Sequence, residues 1–123
     1  MVSQMAKHYP DLDRLFHALA DPTRRGILER LLAGPASVSD LAAPTGMALP
    51  TVMKHIAVLE QSGLVVSEKA GRTRICEARP EPLDQARGWI DAQRRLWEAR
   101  LDRLDDYVTR LMEERAHGTR PED

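Results

Sequence analysis

The sequence predicts a mainly α-helical chain carrying one small β-hairpin. Leu, Ile, Val, Ala and Met recur at helical spacing along most of the 123 residues, and aromatic residues make up only 4%. Two short strand-like runs, 64–69 and 73–78, flank an Ala-Gly-Arg tip. A chain of this length is one domain's worth and buries a modest core, which dimerisation would enlarge.

The elements follow in order. Residues 1–10 read as an N-terminal tail. Asp11 to Ala20 reads as a first helix with Leu12, Leu15, Phe16 and Leu19 as its apolar stripe. Asp21 then caps a second helix with Pro22 at its first position, Ile27, Leu28, Leu31 and Leu32 inward, and Gly34-Pro35 at its end. Arg24 and Arg25 lie in its first turn, suited to phosphate contact or an ion pair, or equally to plain solvation. Ser37 caps a short helix whose Val38, Leu41 and Ala42 share one face, and Pro44 to Gly46 breaks it. The next helix starts near Ala48 with Pro50 in its first turn and Val52, Ile56, Leu59 and Gly63 on the packed side.

Two helices joined by a tight turn and followed by a basic hairpin outline a winged helix-turn-helix over residues 11–79. The helix over about 48–62 leaves Pro50, Thr51, Met53, Lys54 and Ala57 facing outward. Small, hydroxyl and cationic groups of this kind suit close approach to the major groove of double-stranded DNA. The hairpin over 64–78 carries Lys69, Arg72 and Arg74 around its tip, placed to reach the sugar-phosphate backbone. Paired short helices with a glycine turn also occur in bundles that bind no nucleic acid, and the basic hairpin is what tips the reading towards DNA.

The formal net charge is −1. Its distribution says more than its sum: residues 48–79 hold five Lys/Arg against three Asp/Glu, and residues 80–123 hold eight against eleven. Such a split confines the positive field to the helix and hairpin. After Pro80 and Pro82 a long helix runs from about Leu83 to Glu114, within a segment 80–115. Its Ile90, Trp97, Leu101, Leu104, Val108 and Leu111 end in a 4-3-4-3 spacing that makes a seam for another helix. This seam, with Leu12 and Phe16 of the first helix, predicts a homodimer through the N- and C-terminal helices. Trp89 and Trp97 suit interface packing better than an effector pocket. Residues 116–123 read as a disordered tail.

At this point the chain resembles ArsR/SmtB-type winged-helix transcriptional regulators along nearly its whole length. LFHALADPTRRGILERLL, from Leu15 to Leu32, is similar to that family's second-helix signature, and LPTVMKHIAVLEQSGLV, from Leu49 to Val65, to its recognition helix. WIDAQRRLWEARLDRLDDYV, from Trp89 to Val108, further resembles a subgroup found beside genes for small lipid-cavity proteins of the polyketide cyclase type. The resemblance implies a homodimeric repressor reading an inverted repeat. It also implies DNA contacts from Thr51, Lys54 and His55, with Arg72 and Arg74 on the wing. Two positions depart from the pattern, because Ala48 and Met53 stand where relatives often carry serines; the first costs a helix cap.

The resemblance also locates two metal sites, and neither is expected here. The family's Cys-Val-Cys-Asp pattern is matched by Ser37, Val38, Ser39 and Asp40, and hydroxyls are poor ligands for soft metals. The terminal-helix site would need an Asp and His set, and that helix offers only His117. His8, His17 and His55 are scattered, His17 reading as a core-edge histidine. No metal and no cofactor is therefore expected, and no motif names a small-molecule effector. The lone Cys76 excludes an internal disulfide and reads as a buried small hydrophobe rather than a redox switch.

The first 30 residues lack an apolar signal segment and no run approaches a membrane span, so the chain reads as cytoplasmic with no membrane partner. No Gly-rich phosphate loop, HExxH or GxSxG is present, which argues against an enzyme. The runner-up to a DNA-binding regulator is a helical protein-interaction module that reuses the winged fold.

Overall fold

The structure, a computed structural model, describes residues 10–118. Of the expected tails at 1–10 and 116–123, residues 1–9, His8 among them, and 119–123 lie outside the described residues. The order of elements is α1 (Pro10–Leu19), α2 (Pro22–Leu32), β1 (Ala36–Ser37), α3 (Val38–Ala42), a 3-10 turn (Ala43–Thr45), α4 (Leu49–Gln61), β2 (Val65–Ala70), β3 (Thr73–Ala78) and α5 (Pro82–Gly118). By its contacts the chain divides into two units, Met1–Arg87 and Gly88–Asp123. The boundary falls inside α5 rather than at the prolines before it.

The first unit is the winged helix-turn-helix. Its core gathers Leu15, Ile27, Leu28, Leu31, Val52, Leu59 and their neighbours from α1 to α4. The strand residues Leu64, Val65 and Cys76 join them, with Ala86 of the first turns of α5. Side chains that recur every three or four residues on a helix fall on one face, and that face is the one buried here. Asp21 caps α2 by accepting from the Arg24 backbone N–H at 3.1 Å, and Ser37 caps α3 by accepting from Asp40 N–H at 3.0 Å. Ala48 precedes α4 with no side-chain cap, as its methyl dictates. Between the two helices Thr45 Oγ1 donates to the Ala42 carbonyl at 2.7 Å and accepts from Met47 N–H at 3.0 Å, which fixes the turn.

Several expectations needed correction. Gly63 lies beyond the packed face of α4, in the left-handed region at φ 82. There its N–H bonds Glu60 O and the N–H of Leu64 bonds Leu59 O, a Schellman ending that favours glycine. Leu32, at the edge of the α2 stripe about 40° beyond Leu28 and about 140° round from Ile27, is 50% exposed. His17 is exposed on α1 rather than at the core edge. A third strand, β1, pairs with β3 through Ala36↔Cys76 and Ser37↔Ile75, giving the sheet order β1-β3-β2.

In the second unit α5 is a continuous helix through Gly118, three residues into the segment expected as tail. Ile90, Trp97, Leu101, Leu104, Val108 and Leu111 are all exposed along it, as are Trp89, Leu96, Tyr107 and Met112. Arg100 lies over the Trp97 ring, 5.7 Å from its centroid. Among the described residues no helix is long and apolar enough to cross a membrane.

Candidate nucleic-acid interface

The site is built on α4 and the β2–β3 wing. Burial of Val52, Ile56 and Leu59 fixes the rotation of α4, so Pro50, Thr51, Met53, Lys54 and Ala57 are exposed on its far side. The wing closes with a two-residue Gly71-Arg72 turn between the paired Ala70 and Thr73. Gly71 sits at φ 65 and no other residue of the turn has positive φ, the pattern of a type II′ hairpin.

Strand alternation then sorts the wing by charge. Val65, Ser67 and Lys69 of β2 lie on the face they share with Cys76 and Arg74 of β3, through the pairs Ser67↔Cys76 and Lys69↔Arg74. That face starts in the core and ends, beyond the core, in two cations directly opposite each other. Glu68, Ile75 and Glu77 occupy the other face. Like charges across a strand pair destabilise a sheet unless something anionic offsets them, and on Arg74's side Glu60, linked through Ser67, is the anion at hand. A cleft of about 200 Å³ between this face and α4 is lined by Ser39, Leu49, Met53, Arg72 and Arg74. Ser39 was missed from the sequence; its only signal was a hydroxyl in the first turn of α3.

Two links brace this surface. Ser67 Oγ donates to Glu60 Oε1 at 3.2 Å and accepts from Arg74 Nη1 at 2.8 Å, so Arg74, near the wing's tip, is tethered back towards α4 rather than loose. His55 is less exposed than Thr51, Met53, Lys54 and Ala57, at 19% of its side chain. Its Nδ1 faces Arg24 Nη1 at 3.3 Å and Asp21 Oδ2 at 3.9 Å. The Arg24 N–H bond holds the Asp21 carboxyl below its ordinary range; burial opposes this, and the nearby charge of Arg24 reinforces it. Arg24 and Arg25 themselves do something the sequence did not disclose: they close the C-terminus of α1. Arg24 donates to the Ala18 and His17 carbonyls at 2.8 and 2.9 Å, and Arg25 to Leu19 O at 2.8 Å.

A helix-turn-helix domain model matches residues 19–68. The chain is 39% identical over 89 residues to the HTH-type transcriptional regulator Rv2034 of Mycobacterium tuberculosis, covering 72% of this chain and 80% of the relative. The crystal structure of an ArsR family transcriptional regulator superimposes with a TM-score of 0.71 at 50% identity, over 76% of this chain and 97% of that one. The chain belongs to the ArsR family of transcriptional regulators. It is a DNA-binding transcriptional regulator, in a family whose members are not enzymes. The homodimeric winged helix-turn-helix DNA-binding domain of a possible ArsR-family regulator from Mycobacterium bovis is also similar, with a TM-score of 0.55 at 28% identity, over 70% of this chain and 82% of that one. Among the described residues no group of three or more His, Cys, Asp or Glu side chains is placed to hold a metal ion in the regulator.

Proposed function

We propose that the regulator is a homodimeric repressor that reads an inverted-repeat operator in double-stranded DNA. The observation that carries this reading is that Arg72 and Arg74 of the wing line the cleft beside α4, with Lys69 paired across from Arg74 on β2. In this reading α4 enters the major groove, where Pro50 and Thr51 allow close approach, Lys54 meets a guanine edge or a phosphate, and Met53 packs on a thymine methyl. His55 sits at the flank of the helix, and Lys69, Arg72 and Arg74 hold the backbone beside the groove. Repression is the direction that the family resemblance implies.

The exposed seam of α5 supports dimerisation, and in this reading Leu12 and Phe16 of α1 also meet the second copy. So many large apolar side chains on one helix face call for a partner, and a second copy supplies a matching seam. A dimer would read half-sites about 34 Å apart, one turn of DNA. Ser37, at the family's metal-ligand position, spends its hydroxyl capping α3, in keeping with a regulator that works without a transition metal. Neither an enzymatic activity nor a membrane partner forms part of this reading, and its site of action is the cytoplasm.

The test is fluorescence anisotropy against the native upstream DNA and a scrambled duplex across a salt series. Specific binding at least about 1000-fold tighter to the native fragment is expected. Equal, weak binding to both would remove the operator and leave the fold as a platform for another partner.

A further inference from the structure

The Arg24–His55 contact has a direction that chemistry alone decides. A guanidinium has five N–H donors and no acceptor, so a ring nitrogen facing it at 3.3 Å must present its lone pair. Arg24 is not free to turn away, because its other donors are held by Ala18 O and His17 O at 2.8 and 2.9 Å. Asp21, the acidic group on the same side, stands at 3.9 Å from Nδ1, too far to accept a proton from it. Nδ1 is thus the acceptor, and the ring's proton sits on Nε2. That atom has no hydrogen-bond partner among the described residues, and no buried unpaired polar atom is found there, so it is open to solvent.

Its place on α4 says what it can meet. On a helix of 3.6 residues per turn, Pro50, Lys54 and Ala57 form the crest opposite the buried Val52, Ile56 and Leu59, while Thr51 and His55 lie together on the flank towards α2. The crest of a helix in the groove faces base edges, and its flanks face the phosphate walls.

We propose that Arg24 is a positioning residue for DNA binding: it locks His55 in the tautomer whose outward Nε2–H donates to a phosphate oxygen at the groove wall. The proposal rests on the docking reading above. The lock also ties that reading to the scaffold, since the same guanidinium closes the end of α1. The groups facing the ring are Asp21 and Arg24 from α2, with Lys54 beside it on α4. The donor is neutral, so it displaces no counterion, which separates it from every Lys or Arg contact.

The experiment uses the full chain. Long-range ¹H–¹⁵N spectra of the four histidines, with His55 assigned from the His55→Gln variant, read the tautomer in the absence of DNA. The Nε2–H form is expected in the native protein near pH 7.5, and a mixture of tautomers in Arg24→Met. Glutamine can accept through its oxygen and donate through its nitrogen, so His55→Gln should bind duplex within about twofold of native, whereas His55→Leu should bind about tenfold more weakly. Both should keep the native salt slope. The Nδ1–H form or an imidazolium in the native protein would overturn the lock. Native affinity in His55→Leu, or a salt slope reduced by about one, would overturn the neutral phosphate donor. Should the native protein show the expected tautomer yet bind no duplex, the docking reading and the donor's role would fall together while the lock stands.

Discussion

Ser67 in the first wing strand donates its hydroxyl to Glu60 in the last turn of α4, at 3.2 Å, and this bond joins the wing to that helix outside the core. The same oxygen accepts from Arg74 at 2.8 Å, so wing cation and helix are set by one small side chain. Replacing it should loosen the wing without unfolding the protein, because exposed bonds of this kind contribute only about 0–1 kcal/mol. Ser67→Ala is expected to melt within a few degrees of native and to bind its operator severalfold more weakly. Unchanged affinity in titration would show that the tether plays no part in docking.

Lys54 and Arg72 should fail in different ways. Lys54 stands on the crest of α4, and Lys54→Ala is expected to weaken operator binding by more than about tenfold. Arg72 is exposed in the wing turn, on a separate element from the helix crest. Arg72→Ala should weaken native and scrambled duplexes about equally and lower the salt slope by about one. Anisotropy across a salt series measures both, and native behaviour in the two variants would remove the docking geometry.

The helix-turn-helix and its wing were legible because their signals are local. Apolar spacing marked the buried faces, Asp21 and Ser37 marked helix starts, and the Gly71 turn marked the hairpin. Readings that depend on distant partners were not. The two-residue β1 has no periodicity of its own and exists through Cys76 and Ile75, some forty residues on. Arg24 and Arg25 looked like surface cations until the carbonyls at the end of α1 were placed beside them. His55 was picked out as a DNA-facing position, but its engagement with Arg24 crosses 31 residues and leaves no pattern in the chain.

Cys76 should be chemically quiet. It is fully buried in the central strand, and burial pushes its thiol above the ordinary range; Glu60 adds to the rise and Arg74 opposes it. Iodoacetamide is expected to leave the native protein unmodified and to alkylate it in denaturant, and peroxide should not change DNA binding. Rapid native alkylation followed by mass spectrometry would contradict the burial.

Acid should unfold the protein partly through Asp21. Its folded-state carboxyl titrates below the unfolded value of about 3.9, so its contribution is complete above that pH. The contribution is lost as pH falls through the lower, folded value. Asparagine keeps the capping oxygen but not the charge. The fall in Tm between pH 5 and pH 3 should therefore be smaller in Asp21→Asn than in the native protein, and equal falls would assign acid sensitivity elsewhere.

The seam of α5 makes the sharpest claim about assembly. Trp97, Leu101, Leu104, Val108 and Leu111 expose 44 to 56% of their surface along one face of the helix. A heptad seam pairs each of its residues with an apolar neighbour from the second copy, so a charge introduced there is buried twice in a symmetric dimer. An unpaired buried charge costs enough that Leu104→Glu should weaken dimerisation by about 100-fold or more. Helix content should hold, since position 104 is solvent-facing within one chain. Sedimentation velocity should find a native dimer and a variant monomer with unchanged circular dichroism. The variant should also lose tight binding to a full inverted repeat while keeping weak binding to a half-site, because two linked recognition helices raise each other's effective concentration on the operator. A variant that stays dimeric would move the interface off this face of α5.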